Sequence, residues 1–170
     1  VSGFVLREAT PRDVARVLAL YRAEGHATSA ESVAAAIARE DACAVVALGA
    51  DGTLLGFGKT HRWDAALGPA PAGLYLGGAL VRSSARRRGV GLTLVRHRLA
   101  WAAARGEAPV LSVTNALNAA SITMHRAAGF VETARAPGMR GVVEASREGI
   151  LWQWRPRIGG LRTSCVDGAR

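Results

Sequence analysis

Apolar positions along the chain follow two rhythms, and each predicts a different kind of element. Alternation or a short apolar run marks strands at residues 4 to 8, 44 to 48, 54 to 61, 74 to 81, 110 to 114, 130 to 134 and 149 to 154. Spacings of three and four mark helices. Val14, Val17, Leu18 and Tyr21 share one face of a helix predicted over 11 to 23, which Thr10-Pro11-Arg12-Asp13 opens with a cap, a proline and an acid in the first turn. Leu92, Val95, Leu99, Ala102 and Ala103 share a face of a second helix that ends at Arg105-Gly106. Ser29 or Ser32 caps a small surface helix running to 39, after a polar hinge at 24 to 28. A last helix spans 118 to 128 and stops at Gly129. Its Asn118, Ser121, Ile122 and His125 form a mixed face, and Ala120, Met124, Ala127 and Ala128 an apolar face expected to be core.

Turn residues connect these pieces. Asp51-Gly52 predicts a hairpin, and a glycine and proline loop at 68 to 73 precedes the fourth strand. Gly77-Gly78 inside that strand disfavours regular pairing, so it predicts a bulge or a close approach by another backbone or a ligand.

The 170 residues suffice for one α/β domain, placed at 1 to 157, with a flexible tail expected at 158 to 170 where periodicity ends. A hydrophobic fraction of 49% excludes a disordered chain. No apolar run reaches the roughly 18 to 20 residues of a membrane span, and no signal-peptide core follows Val1, so a cytoplasmic protein without membrane contact is expected. Cys43 and Cys165 lie too far apart for a metal-binding pair, no metal is expected, and Cys43 reads as a buried hydrophobe. Ser83, Ser84 and Ser121 lack a Ser-His-Asp arrangement, which disfavours an acyl-enzyme. The four tryptophans divide: Trp63 reads as pocket lining or sheet edge, the others as core or dimer interface, with monomer and homodimer both open.

Charge sharpens the picture more than composition does. The net charge is +9, carried by 21 arginines and one lysine, and no acidic residue occurs between Asp64 and Glu107 while seven arginines do. An anion should bind there. Arg86-Arg87-Arg88-Gly89-Val90-Gly91 joins the fourth strand to the next helix, where free amides and the helix dipole favour phosphate and glycine lets it approach the main chain. The run is neither a Walker A loop nor Gly-x-Gly-x-x-Gly, since position 94 is leucine. Nucleic acid is not the expected partner, because no aromatics interleave with these arginines.

Val81-x-x-x-x-Arg86-x-x-Gly89-x-Gly91 resembles the acetyl-CoA signature of the GNAT superfamily of N-acetyltransferases. Val113 through Gly129-Phe130 resembles that family's second signature, and Leu6 to Asp13 its usual opening; together these cover residues 4 to about 155. The resemblance implies an α/β (α+β) fold, a central and mostly antiparallel sheet splayed between strands 4 and 5, with helices on both faces. It implies acetyl-CoA as co-substrate and an amine as acceptor. Ala79, Leu80 and Val81 would pair with the pantetheine arm, residues 86 to 91 would hold the diphosphate, and Asn118 and Ser121 would meet the cofactor. Val81 N–H would polarise the thioester carbonyl.

His125 stands where many relatives carry a tyrosine that protonates the departing thiolate, so the resemblance gives His125 that role. A carboxylate base on the fourth strand is missing, where Tyr75 and Leu76 stand. Glu24, His26, His61 and Glu144 remain candidates, as does deprotonation of the amine by solvent. Direct transfer to a small-molecule amine, an amino acid or antibiotic, is expected ahead of a protein N-terminus or lysine, or of a CoA-binding protein without catalysis.

Overall fold

The computed structural model describes residues 3–140 and 148–156. Among them seven strands form one sheet in the order β1-β2-β3-β4-β5-β7-β6. These are β1 (Phe4–Glu8), β2 (Ala44–Gly49), β3 (Leu54–Trp63), β4 (Gly73–Val81), β5 (Val110–Asn115), β6 (Val131–Pro137) and β7 (Glu148–Trp154). Only β4 and β5 run parallel. The helices are α1 (Val14–Ala23), α2 (Ala30–Ala38), α3 (Val90–Ala104) and α4 (Ala119–Ala127).

Local chemistry accounts for the element ends. The Asp13 carboxylate accepts from Thr10 N–H at 2.8 Å and from the Thr10 hydroxyl at 3.0 Å, closing a capping box ahead of α1. Arg7 grips the same carboxylate through two bonds and, with the cap, holds its pKa well below the usual carboxylate range. Ser29, of the two candidate caps, is the one that opens α2, accepting from Ser32 N–H. Asp51 locks the β2–β3 turn by accepting from the amide and hydroxyl of Thr53.

Helices cover both faces of the sheet. Val17 and Leu20 of α1 and Val33 of α2 pack on Val46, Phe57 and Leu80. On the opposite face, Val90 and Leu94 of α3 meet Val45, Ala47 and Leu55, while Val95 and Leu99 meet Leu74, Leu76 and Val110. The buried face of α3 is therefore rotated from the predicted one. Leu94 and Arg98 are inside and Ala103 is exposed, because α3 bridges two core clusters and turns Leu92 toward a cleft.

The sheet opens between β4 and β5. Their pairing runs only from Leu74↔Val110 to Leu76↔Ser112, yet β4 stays on β3 as far as Val81 and β5 stays on β7 as far as Asn115. A wedge-shaped gap results, as the resemblance implied. No helix among the described residues is long and apolar enough to cross a membrane. The expected tail and Glu144 lie outside the described residues.

Candidate active site

The gap in the sheet widens into a cleft of about 1460 Å³ that collects most of the residues singled out by sequence. Its central feature is a change of phase in β4. Thr60 N–H donates to Cys43 O, just ahead of β2, so Lys59 and His61 face β4, where they pair with Gly77 and Tyr75. Beyond Gly77 the register shifts: Gly78 and Ala79 stand opposite the single residue Gly58, and pairing resumes at Phe57↔Leu80. Arg82 N–H donates to Leu55 O at 2.8 Å, so the even-numbered residues face β3 after the bulge, whereas odd ones faced it before. Val81 N–H therefore points away from β3, into the gap.

The turn after β4 is built to present amides. Gly89 is the N-cap of α3 with φ +83°, and Thr93 N–H makes the first helical bond, to Gly89 O. The amides of Val90, Gly91 and Leu92 precede that bond and have no acceptor within the helix. A Cβ on Gly91 would stand 3.1 Å from Met124 Sδ and 3.6 Å from Val81, so this glycine lets α3, α4 and β4 converge. Arg87, at φ +58°, lines the cleft. Arg88 and the Val90 side chain do not; Val90 is buried in the core beneath α3.

Arg86 is also engaged within the protein. Its guanidinium donates to Glu24 Oε2 at 2.7 Å and to Val81 O at 3.3 Å, and its amide to Ser83 O, so it braces the turn while also lining the cleft. Glu24 also accepts from Ser83 N–H at 2.8 Å. These bonds lower the Glu24 pKa and occupy both its oxygens, which removes it as a base for the amine.

The faces of α4 depart from those predicted only in part: Asn118, Ser121 and His125 line the cleft, as the mixed face should, and Met124 and Ala128 pack on the core. His125 is 5% exposed and Ile122 packs on the core, whereas Ala120, Met124 and Ala127 line the cleft. Small side chains there leave room beside the gap. Asn118 caps the helix, its Oδ1 accepting from Ser121 N–H at 3.0 Å, and both residues border the cleft. His125 Nδ1 lies 2.8 Å from Ser121 O, and Nε2 lies 2.8 Å from Ser112 Oγ. A carbonyl oxygen only accepts, so Nδ1 carries the proton and Nε2 accepts from the hydroxyl. Burial lowers the ring's pKa, and Trp152 stacks on it with centroids 5.7 Å apart. His125 is thus a neutral ring with both nitrogens used.

Replacing His125 with phenylalanine is expected to leave the buried Ser112 hydroxyl short of a partner, at about 1–3 kcal/mol. The Tm by circular dichroism should fall about 2–4 °C for each kcal/mol lost. An unchanged Tm with a collapsed kcat would instead restore the acid role.

At the other end of the cleft, aromatic rings form a wall. Trp63 and Tyr75 lie 4.1 Å apart, His61 and Trp63 4.7 Å apart, and the Arg140 guanidinium sits 4.3 Å over Trp63. A Cβ on Gly77 would overlap the His61 ring, so this glycine makes the room that its strand position forecast. Burial, with Lys59 and Arg140 nearby, pushes the His61 pKa down to about 4. Tyr75 OH donates to Pro71 O. His26 also borders the cleft. Cys43 is buried as expected, its thiol pushed up to about 11. Sequence reasoning missed Arg140 and Arg98; the first lies in a loop without pattern, and the second was hidden by its charge on a helix face that reads as exposed.

The comparisons with known proteins agree with this geometry. Residues 13–130 match the Acetyltransferase (GNAT) family. The aminoglycoside N(6')-acetyltransferase type 1 of Klebsiella aerogenes is 37% identical over 112 residues, covering 62% of this chain and 70% of that protein. Among solved structures, yncA, a putative acetyltransferase from Salmonella typhimurium with its cofactor acetyl-CoA, has a TM-score of 0.75 at 18% identity, covering 96% of this chain and 99% of that one. The ribosomal-protein-S18-alanine N-acetyltransferase from Escherichia coli has a TM-score of 0.74 at 17% identity, covering 94% and 97%. The parted sheet, the glycine and arginine turn and the family match lead to one statement: this chain belongs to the GNAT family of acetyltransferases.

Proposed function

We propose that the chain moves the acetyl group of acetyl-CoA onto the primary amine of a small molecule, an amino acid or similar compound, by direct attack in a ternary complex. The observation that carries this is the Val81 amide aimed into the gap beside a cationic turn with free helical amides. A diphosphate fits that turn, and an extended arm fits the unpaired edge of β4. Val90, Gly91 and Leu92 amides with Arg87 would hold the diphosphate, Ala79 to Val81 the arm, and the α4 start at Asn118 and Ser121 its far side. When bound, acetyl-CoA supplies an acyl group activated by a sulfur leaving group. Val81 N–H would meet the carbonyl oxygen as negative charge develops there.

The far wall supports the acceptor class. Among the described residues lining the cleft there is no carboxylate, while Arg140 and the Trp63, Tyr75 and His61 rings are present. Such a wall suits an amine whose neighbouring group is anionic or flat and disfavours a polycation. His61, deprotonated above about pH 4, is too weak a base to take a proton from an ammonium ion. In this reading the amine reaches the site already neutral, its proton lost to water, and His125 fastens α4 to β5 through Ser112.

A second reading, an aminoglycoside as acceptor, is favoured by the 37% identity to the Klebsiella aerogenes enzyme. Thiol release from acetyl-CoA, measured against amino acids, aminoglycosides, polyamines and peptides, separates the two. Turnover is expected with amino acids, its kcat/KM rising about tenfold per pH unit below the acceptor's pKa without a histidine inflection near pH 6.5. Fastest release with the aminoglycosides would establish the second reading, and no release with any amine would defeat both.

A further inference from the structure

Arg98 is the least expected residue in the core. It projects from α3, is 1% exposed, and no carboxylate pairs with it among the described residues. Its Nη2 is buried without a hydrogen-bond partner, and desolvation lowers its pKa to about 10. An unpaired buried cation opposes folding, and a leucine would fill the same helix position without that cost. Packing therefore gives no reason for an arginine here.

Its contacts supply one. Nη1 donates to Lys59 O at 2.8 Å and to Gly77 O at 3.3 Å, the last regular pair of β3 and β4 before the bulge. Nε donates back to Leu94 O, which fixes the side chain against its own helix. The guanidinium occupies the volume left open by Gly58, where a Cβ would stand 2.9 Å from Cζ. Gly58 is the residue that faces both Gly78 and Ala79 across the bulge. Arginine and glycine thus form one fitting: the glycine makes the hole, and the arginine enters it and pins the carbonyls at the point where β4 changes phase.

We propose that Arg98 is a positioning residue that holds the β4 bulge and so keeps Val81 N–H turned into the cleft. It acts through the backbone and need not touch the substrate. The inference rests on the Val81 reading above and extends it to a residue outside the family signatures quoted from the sequence. Arg98→Leu removes the pin and relieves the buried charge. Gly58→Ala keeps the charge and displaces the pin.

The test follows both variants and the wild type by Tm, by calorimetric acetyl-CoA affinity, by kcat, and by amide shifts of labelled protein on adding acetyl-CoA. In the wild type both Gly91 and Val81 amides should shift. In each folded variant the Gly91 shift and the affinity should persist within about threefold while the Val81 shift is lost and kcat falls about 10²-fold, the loss typical of one oxyanion donor. Arg98→Lys, which keeps a donor near the carbonyls, should recover part of kcat, and it decides the matter should Arg98→Leu fail to fold. Full turnover with an intact Val81 shift in a folded Arg98→Leu or Gly58→Ala protein overturns the role of Arg98. A wild type whose Gly91 amide shifts while Val81 stays still overturns the underlying oxyanion reading instead.

Discussion

Replacing Gly89 with valine is expected to abolish measurable acetyl-CoA binding while leaving the fold in place. Gly89 sits at φ +83°, a left-handed conformation that costs an L-residue about 1–2 kcal/mol and a β-branched one more. Apart from its chain neighbours, no atom of the described residues lies within 4 Å of the Cβ position, so nothing there objects to the added volume. The objection comes from the ligand, because that open space fronts the amides of Val90 and Gly91. Strain and obstruction act together, and an affinity loss of more than 100-fold, about 2.7 kcal/mol or above, is expected in calorimetry. Gly89→Ala should lose less, since it carries the strain with a smaller obstruction. Wild-type affinity in the valine variant would dissolve the assignment of the turn.

The second large effect concerns a single hydrogen atom. Residues 80 and 82 supply the bonds of β4 to β3 after the bulge, so proline at Val81 removes an N–H that the sheet does not use. Leu80 is already extended, as a residue before proline prefers. Val81→Pro is therefore expected to fold and to bind acetyl-CoA within a few fold of wild type. Its kcat should fall about 10²–10³-fold, or about 2.7–4 kcal/mol, the measured range for deleting one oxyanion donor. An ester in place of the 80–81 amide removes the same proton without the proline ring and should reproduce the loss. Unaltered kcat in both would take Val81 out of the chemistry.

Local signals made much of this molecule legible. Thr10 and Asp13 cap the start of the first helix within a few residues of each other, Asp51-Gly52 turns a hairpin on itself, and Gly89 supplies a residue free to turn left-handed ahead of α3. The parted strands were read from resemblance, and Gly77-Gly78 gave a separate reason to expect a break in pairing there. What escaped notice depends on partners far along the chain. Arg86 reads as a phosphate ligand alone, and its bond to Glu24, 62 residues away, forms only when the chain folds. On α4, alanine counts as a core residue in any periodicity argument, yet Ala120 and Ala127 border the cleft beside a histidine that is 5% exposed. Arg98 defeats the same reasoning from the other side, because a charged residue is assigned to solvent unless a missing side chain, here that of Gly58, opens a hole for it.

The bulge in β4 stores its information as a count of residues rather than as their identity. One added position between Gly77 and Leu80 exchanges the two edges of the strand from there onward. Shortening that stretch by one would send the 81 amide back toward β3 and swap the faces presented by Leu80 and Val81, even with every remaining side chain preserved. The segment should therefore accept many substitutions and few changes of length. In descendants of this chain, a gap at that place would mark lost acyl transfer more reliably than any altered letter.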